Sequence, residues 1–427
     1  MDTIFALASA PGKAGVSVIR ISGTDAKTAG VSLSGGELPK PRQSGLRILK
    51  RQSGEHLDQA LVLVFDAGAS FTGEDVVEFQ VHGSVAVVSA VLDELSKIPG
   101  LRMAEPGEFT RRALENGCMD LTQVEALSDL IESETEAQRK QALRVLSGAI
   151  GQKVDIWRSK IVRSAALLEA TIDFADEDVP VDVTDEVKEL LQAVINSIES
   201  ELCGLNAAER VRTGFEVAIV GPPNAGKSTL LNYLAGRDAA ITSEFAGTTR
   251  DVIEVQMDIG GYSVTLLDTA GVRETDDQVE KIGVERALSR AKSADLRIHL
   301  VLLGESPEID VEESDIILTA KDDLGCENGI SGLTGFGVVS LLDHIRVTLS
   351  TLVSGSSLVN RERHKISLRQ SLSFLREALV ALESGVGEYD LVSEELRSAS
   401  RNLEALMGRV DVENLLDEIF LNFCVGK

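Results

Sequence analysis

Basic residues are in short supply. The 427-residue chain has 42 Lys and Arg against 68 Asp and Glu, a formal net charge of −26. So acidic a balance argues against a protein whose main affinity is for phosphate backbones, and leaves room only for a local basic patch. Cysteine is sparse as well: Cys118, Cys203, Cys326 and Cys424 stand far apart and form no CxxC pair. That pattern suggests neither a disulfide framework nor a zinc knuckle, and it fits a reducing cytoplasm. Long apolar runs are missing. The stretch 296–303 is broken by Arg297 and His299, and nothing reaches the roughly 18 apolar residues of a membrane span. The apolar segment 4–10 follows Asp2 with no Lys or Arg before it, which does not fit a signal peptide. No GxGxxG fingerprint follows a strand, so no flavin-binding motif is read. With 26% charged and 43% hydrophobic residues, wholesale disorder is excluded, and the length allows roughly two to four domains.

What is present has three kinds of grammar. Residues 16–21 and 61–65 read as buried strands and 76–81 as a half-buried one. Helical spacing between 84 and 98 stops at Pro99-Gly100. From Asp120 the character changes: Asp120 and Gln123 resemble an N-cap pair, and Leu121, Val124, Leu127, Leu130 and Ile131 share a helical stripe. Helical spacing continues to about residue 170, returns over 187–205, and resumes from about 358 to 423. In that tail Gly408 reads as a helix stop and Asp411 as a cap. Between the helical stretches, residues 214–352 spell strand 216–220, a glycine-rich turn, a helix, strand 263–267 and strand 295–303. This order predicts a doubly wound sheet inserted into a helical domain.

The sharpest motif is Gly221-Pro-Pro-Asn-Ala-Gly-Lys-Ser228, which fits GxxxxGK[ST] between a strand and a helix. Glycines let backbone N–H groups approach and cradle phosphates at a helix N-terminus. Lys227 is then expected to reach the β- and γ-phosphates, and the Ser228 hydroxyl to ligate Mg²⁺. Asp268-Thr-Ala-Gly271 ends the next strand, where an acidic residue serves the metal shell. Gly247-Thr-Thr-Arg-Asp251 lies between them, the place for a switch.

Taken together, these motifs resemble the MnmE (TrmE) family of tRNA-modification GTPases, within the TrmE-Era-EngA-like class. The resemblance also rests on Pro11-Gly12-Lys13, Val18-Ile-Arg-Ile-Ser-Gly23, Phe71-Thr-Gly-Glu-Asp75, Glu105-Pro-Gly-Glu-Phe-Thr110, Met119-Asp-Leu-Thr122, Ile172-Asp-Phe174 and the ending Phe423-Cys-Val-Gly-Lys427. It implies an N-terminal α/β dimerisation and folate-binding domain (1–117), a helical domain in two parts (118–213 and 354–427), and a Ras-like GTPase domain (214–353). Nucleotide contacts are implied at Asn224, Ala225, Gly226, Lys227, Ser228 and Thr229, at Ser243, Glu244, Phe245, Ala246, Gly247, Thr248 and Thr249, at Asp268, Thr269, Ala270 and Gly271, and at Lys321 and Asp323. Val272 stands where Ras-like enzymes place a water-orienting Gln, and no arginine finger is apparent. For these gaps the resemblance implies K⁺ held by Asn224, Ser243, Phe245 and Thr248, with Thr249 completing the Mg²⁺ shell and Glu280 orienting water. It also implies a formyl-tetrahydrofolate derivative held by Arg20, Glu78 and Lys427, a homodimer, tRNA as substrate, and a MnmG-type flavoprotein partner. Cys424 is either inert packing or a participant in modification chemistry. His82 reads as a strand-end residue and Trp157 as core or interface.

Three departures qualify these expectations. Ala320-Lys-Asp-Asp323 stands where Asn-Lys-x-Asp would read guanine, so one amide contact is missing, at a cost of about 1–2 kcal/mol. Only residues 304–314 separate strand 295–303 from strand 315–319, so the usual crossover helix is expected to shrink to a turn. Cys118 also stands where the family usually has a Lys for folate.

Overall fold

The computed structural model describes residues 2–173, 183–237, 254–268, 289–307, 309–322, 328–355, 357–384, 389–410, 419–420, 423 and 426. The chain packs as two units, Met1–Ser128 with Glu404–Lys427, and Asp129–Leu403.

In the first unit the elements are β1 (Thr3–Leu7), β2 (Val16–Ser22), α1 (Ala26–Ser34), β3 (Gly45–Lys50), β4 (His56–Phe65), β5 (Val76–His82), α2 (Val85–Ser96), β6 (Leu101–Met103), α3 (Glu108–Glu115) and the start of α4 (Leu121–Ile131). The strands form one sheet in the order β3-β4-β5-β2-β1-β6, antiparallel except for the β1–β6 pair. Strand alternation sorts the side chains. Ile19 and Ile21 on β2, with Val77 and Phe79 on β5, join the core that α1 and α2 cover. Arg20 and Glu78, one residue out of phase, belong to the opposite face. The Asp120–Gln123 box is closed in both directions, at 3.0 and 2.9 Å, and starts α4. Phe420 and Phe423 near the C-terminus pack with Val124 of that helix.

The second unit holds α5 (Glu136–Leu146), α6 (Ala149–Asp173), α7 (Thr184–Thr213), β7 (Phe215–Val220), α8 (Lys227–Ala235), β8 (Glu254–Ile259), β9 (Tyr262–Asp268), β10 (Leu296–Val301), β11 (Ile316–Ala320), β12 (Gly329–Ile330), α9 (Val338–Leu352), α10 (Glu362–Glu383) and most of α11 (Tyr389–Leu406). Helix α7 packs on both α6, before the sheet in sequence, and α10, after it. The α/β domain is therefore an insertion between helices that pair with one another. Buried Glu201 of α7 fastens the return: it accepts hydrogen bonds from Ser357 Oγ (2.8 Å) and the Leu358 amide (2.9 Å), and pairs with Lys153 of α6. Burial pushes its carboxyl up, but these partners outweigh that and hold it below the usual glutamate value. Trp157 is core, its indole N–H donating to Ser197 at 2.9 Å.

The inserted sheet runs β12-β11-β10-β7-β9-β8, parallel throughout except for the β8–β9 hairpin. Three features differ from the sequence expectation or go beyond it. Helix α7 extends well past residue 205, because its last turns stay buried at Ala208 and pack on the sheet's core through Val211. Strand β8 was not anticipated, since its exposed side carries Glu254, Gln256 and Asp258. Strand β10 stops at Val301, leaving Leu303 89% exposed. The described residues between β10 and β11 contain no helix, as the short spacing implied. Among the described residues no helix is long and apolar enough to cross a membrane.

Candidate functional site

Strand β7 delivers the chain to Gly221 at the C-terminal end of the sheet, where α/β folds expose ligand sites. Glycine is required there: φ is +147°, and a Cβ would lie 2.2 Å from the Leu300 carbonyl oxygen of neighbouring β10. The loop then turns through Asn224 (φ +64°) and Gly226 (φ +99°), which caps α8. Asparagine is among the few side-chain-bearing residues that tolerate this conformation. The result leaves the first amides of α8, at Lys227, Ser228 and Thr229, facing the loop mouth with no capping side chain.

Lys227 is 6% exposed, and its ammonium reaches back to the carbonyls of Gly221 (2.5 Å) and Pro222 (3.0 Å). A buried cation resting on backbone oxygens at a helix N-terminus suits a polyphosphate. Asp268 ends β9, paired in register with Ile219 of β7, and is 4% exposed. Its carboxylate and the Ser228 hydroxyl are hard oxygen donors, the type Mg²⁺ takes alongside substrate phosphates. No cluster of three or more His, Cys, Asp or Glu able to hold a metal exists among the described residues.

Beside this loop lies a cleft of about 330 Å³. Ala225, Gly226 and Thr229 form one wall, and Ala320, Lys321 and residues 331–333 the other. Gly332 lies against the backbone of α8, where a Cβ would stand 2.6 Å from the Leu230 nitrogen. Ser331 Oγ accepts from the amides of Leu333 (3.2 Å) and Thr334 (3.1 Å), which curls that wall. Lys321 adopts φ +59°, and Ala320, 7% exposed, presents only a methyl group.

In the first unit, Arg20 and Glu78 face each other in register, with Nε to Oε1 at 2.7 Å. The guanidinium lies over the rings of Phe71 (5.4 Å) and Phe109 (5.6 Å). The pair remains 21% and 15% exposed, so a ligand can reach it. An acid and a base beside flat apolar faces suit a polar heterocycle. Gly426 packs on the backbone of Leu7 and Ala8, one register step from Arg20, whose partner on β1 is Ala6. Cys118 is exposed and lies against Gly73. Phe71 and Phe109 lie in motifs that carry the family resemblance, and their grip on Arg20 depends on pairing between distant segments. His82 Nδ1 lies 2.8 Å from Asp58 at the end of β5, a structural contact.

The expected contacts thus divide. Ala225, Gly226, Thr229 and Lys321 line one cleft; Asn224, Lys227 and Ser228 belong to the same turn and helix start, and Asp268 ends an adjoining strand. Ser243, Glu244, Phe245, Ala246, Gly247, Thr248, Thr249, Thr269, Ala270, Gly271, Glu280, Asp323, Cys424 and Lys427 lie outside the described residues, as does Asp411.

A parallel sheet with a lysine-bearing loop at a helix N-terminus and an acidic neighbouring strand end defines a P-loop nucleotide-binding domain. Residues 3–118 match the family described as GTP-binding protein TrmE N-terminus, and residues 121–424 match MnmE helical domain. The chain is 60% identical to the tRNA modification GTPase MnmE of Roseobacter denitrificans, 57% to that of Ruegeria pomeroyi and 48% to that of Parvibaculum lavamentivorans; each alignment covers 100% of both chains. The chain belongs to the MnmE family of tRNA modification GTPases.

Proposed function

We propose that this chain hydrolyses GTP in a potassium-dependent way and couples the cycle to a carboxymethylaminomethyl-type modification at C5 of the wobble uridine in tRNA. It works as a cytoplasmic homodimer with a MnmG-type flavoprotein. The observation that carries the GTPase reading is the glycine-rich turn from Gly221 to Gly226, with the buried Lys227 ammonium on the Gly221 and Pro222 carbonyls, beside a cleft that Gly226 and Lys321 line. In this reading Lys227 and the α8 amides hold the β- and γ-phosphates, and Ser228 and Thr249 hold Mg²⁺ near Asp268. Asn224, Ser243, Phe245 and Thr248 hold K⁺. These cations supply positive charge to the oxygens that gain negative charge during transfer to water. Glu280 orients the attacking water. Arg20, Glu78 and Lys427 hold a formyl-tetrahydrofolate derivative, and Cys424 stands ready for modification chemistry.

The test is GTP turnover in KCl and in NaCl at matched ionic strength, with Glu280→Ala alongside. Stimulation by K⁺ that the variant loses supports the reading. Equal slow rates in both salts remove the potassium mechanism.

A further inference from the structure

Two oddities meet at one place in the fold: charged residues inside strand β10, and the helix missing between β10 and β11. Leu296, Ile298 and Leu300 point into the main core of the inserted domain. Arg297 and His299 point to the other face, the one a crossover helix ordinarily covers. Both are sealed from solvent, Arg297 at 5% and His299 at 1% exposure. Both reach the same carboxylate. Arg297 Nε donates to Asp315 at 3.1 Å, and His299 Nε2 lies 2.9 Å from it. The Asp315 side chain is 2% exposed and also accepts the Glu312 amide at 2.8 Å, while Glu312 pairs with Arg297 at 2.8 Å. Burial pushes the Asp315 carboxyl up, but the amide and the two side chains outweigh it and hold it below the usual aspartate value.

We propose that Asp315, Arg297 and His299 are positioning residues for the base-reading edge of the nucleotide site, standing in for the absent helix. The inference rests on the GTP-binding reading above. Asp315 immediately precedes β11, which pairs with β10 from Ile298–Ile316 to Val301–Thr319 and ends at Ala320, with Lys321 next, in the cleft wall. A strand is a stiff rod, so tying the residue just before it to the middle of β10 sets where its last residues emerge. Ala320 has no polar side chain to secure that wall itself. His299 Nδ1 is buried with no partner.

The experiment compares wild type with Asp315→Asn and with the milder Arg297→Lys by titration with GDP and with ADP, and by thermal melting. Each nucleotide shares the phosphate contacts, but only GDP needs the base wall. The expected result is that wild type prefers GDP, Asp315→Asn weakens GDP binding about ten-fold, Arg297→Lys weakens it about three-fold, and ADP binding is unchanged. If the variants weaken both nucleotides equally in step with a lower Tm, or leave GDP binding untouched, the cluster is structural only and the inference falls while the GTP reading stands. If wild type itself binds GDP and ADP alike, the guanine reading fails and takes the inference with it. Should Asp315→Asn not fold, Arg297→Lys alone decides between these outcomes.

Discussion

In the proposed reading the phosphate end of the nucleotide cleft is built from backbone: the turn through Gly221, Asn224 and Gly226, and the first turn of α8, with one buried ammonium on top. At the base end, the described wall consists of Ala320, Lys321 and residues 331–333, brought together from two segments and held in part by the Arg297–His299–Asp315 cluster. The first end is local in sequence, stretching from β7 into α8. The second depends on long-range pairing and has lost one amide. In the proposed reading the difference separates affinity from selectivity, with phosphates supplying most of the binding energy and the reduced wall a smaller, tunable preference for guanine.

Changes at the phosphate end should be the most damaging. Lys227→Ala removes the charge that faces the transferred phosphoryl group, and turnover at saturating GTP should fall by about a hundred- to a thousand-fold. Gly221→Ala attacks the same end through the backbone. Its methyl would meet the Leu300 oxygen at 2.2 Å in a conformation unfavourable to alanine, so stability should drop by about 2–4 kcal/mol, read as a fall in Tm. The base wall should respond more gently. Gly332→Ala pushes residues 331–333 off α8 at the Leu230 nitrogen, and GDP affinity should weaken by roughly three- to ten-fold with little change in ADP affinity. An equal loss for both nucleotides would place that wall at the phosphate end instead.

The same comparison explains what could be read from the sequence. The P-loop was legible because every part lies within one strand–turn–helix stretch, and Gly221-Pro-Pro-Asn-Ala-Gly-Lys-Ser228 spells it in order. The helical insertion pattern was legible from the change in apolar spacing on either side of residues 214–352. The Asp120–Gln123 cap was visible because both partners lie within one turn. By contrast, β8 hid behind its polar exposed side, although Gly260-Gly261 marks a tight hairpin turn. Arg297 and His299 stood out only as interruptions of an apolar run, because their partner lies 16 to 18 residues away. In the first unit, Arg20 and Glu78 could be named from motif resemblance, but their stacking on Phe71 and Phe109 follows from the sheet register and the position of α3.

The most direct test of the division between the two ends is Ala320→Asn, measured as the dissociation constants of GDP and ADP beside wild type. Restoring the amide should tighten GDP by roughly five- to thirty-fold, the equivalent of about 1–2 kcal/mol, and leave ADP where it was. Unchanged GDP binding, or equal tightening of both nucleotides, would contradict the claim that phosphate affinity and base selectivity reside in separate parts of this cleft.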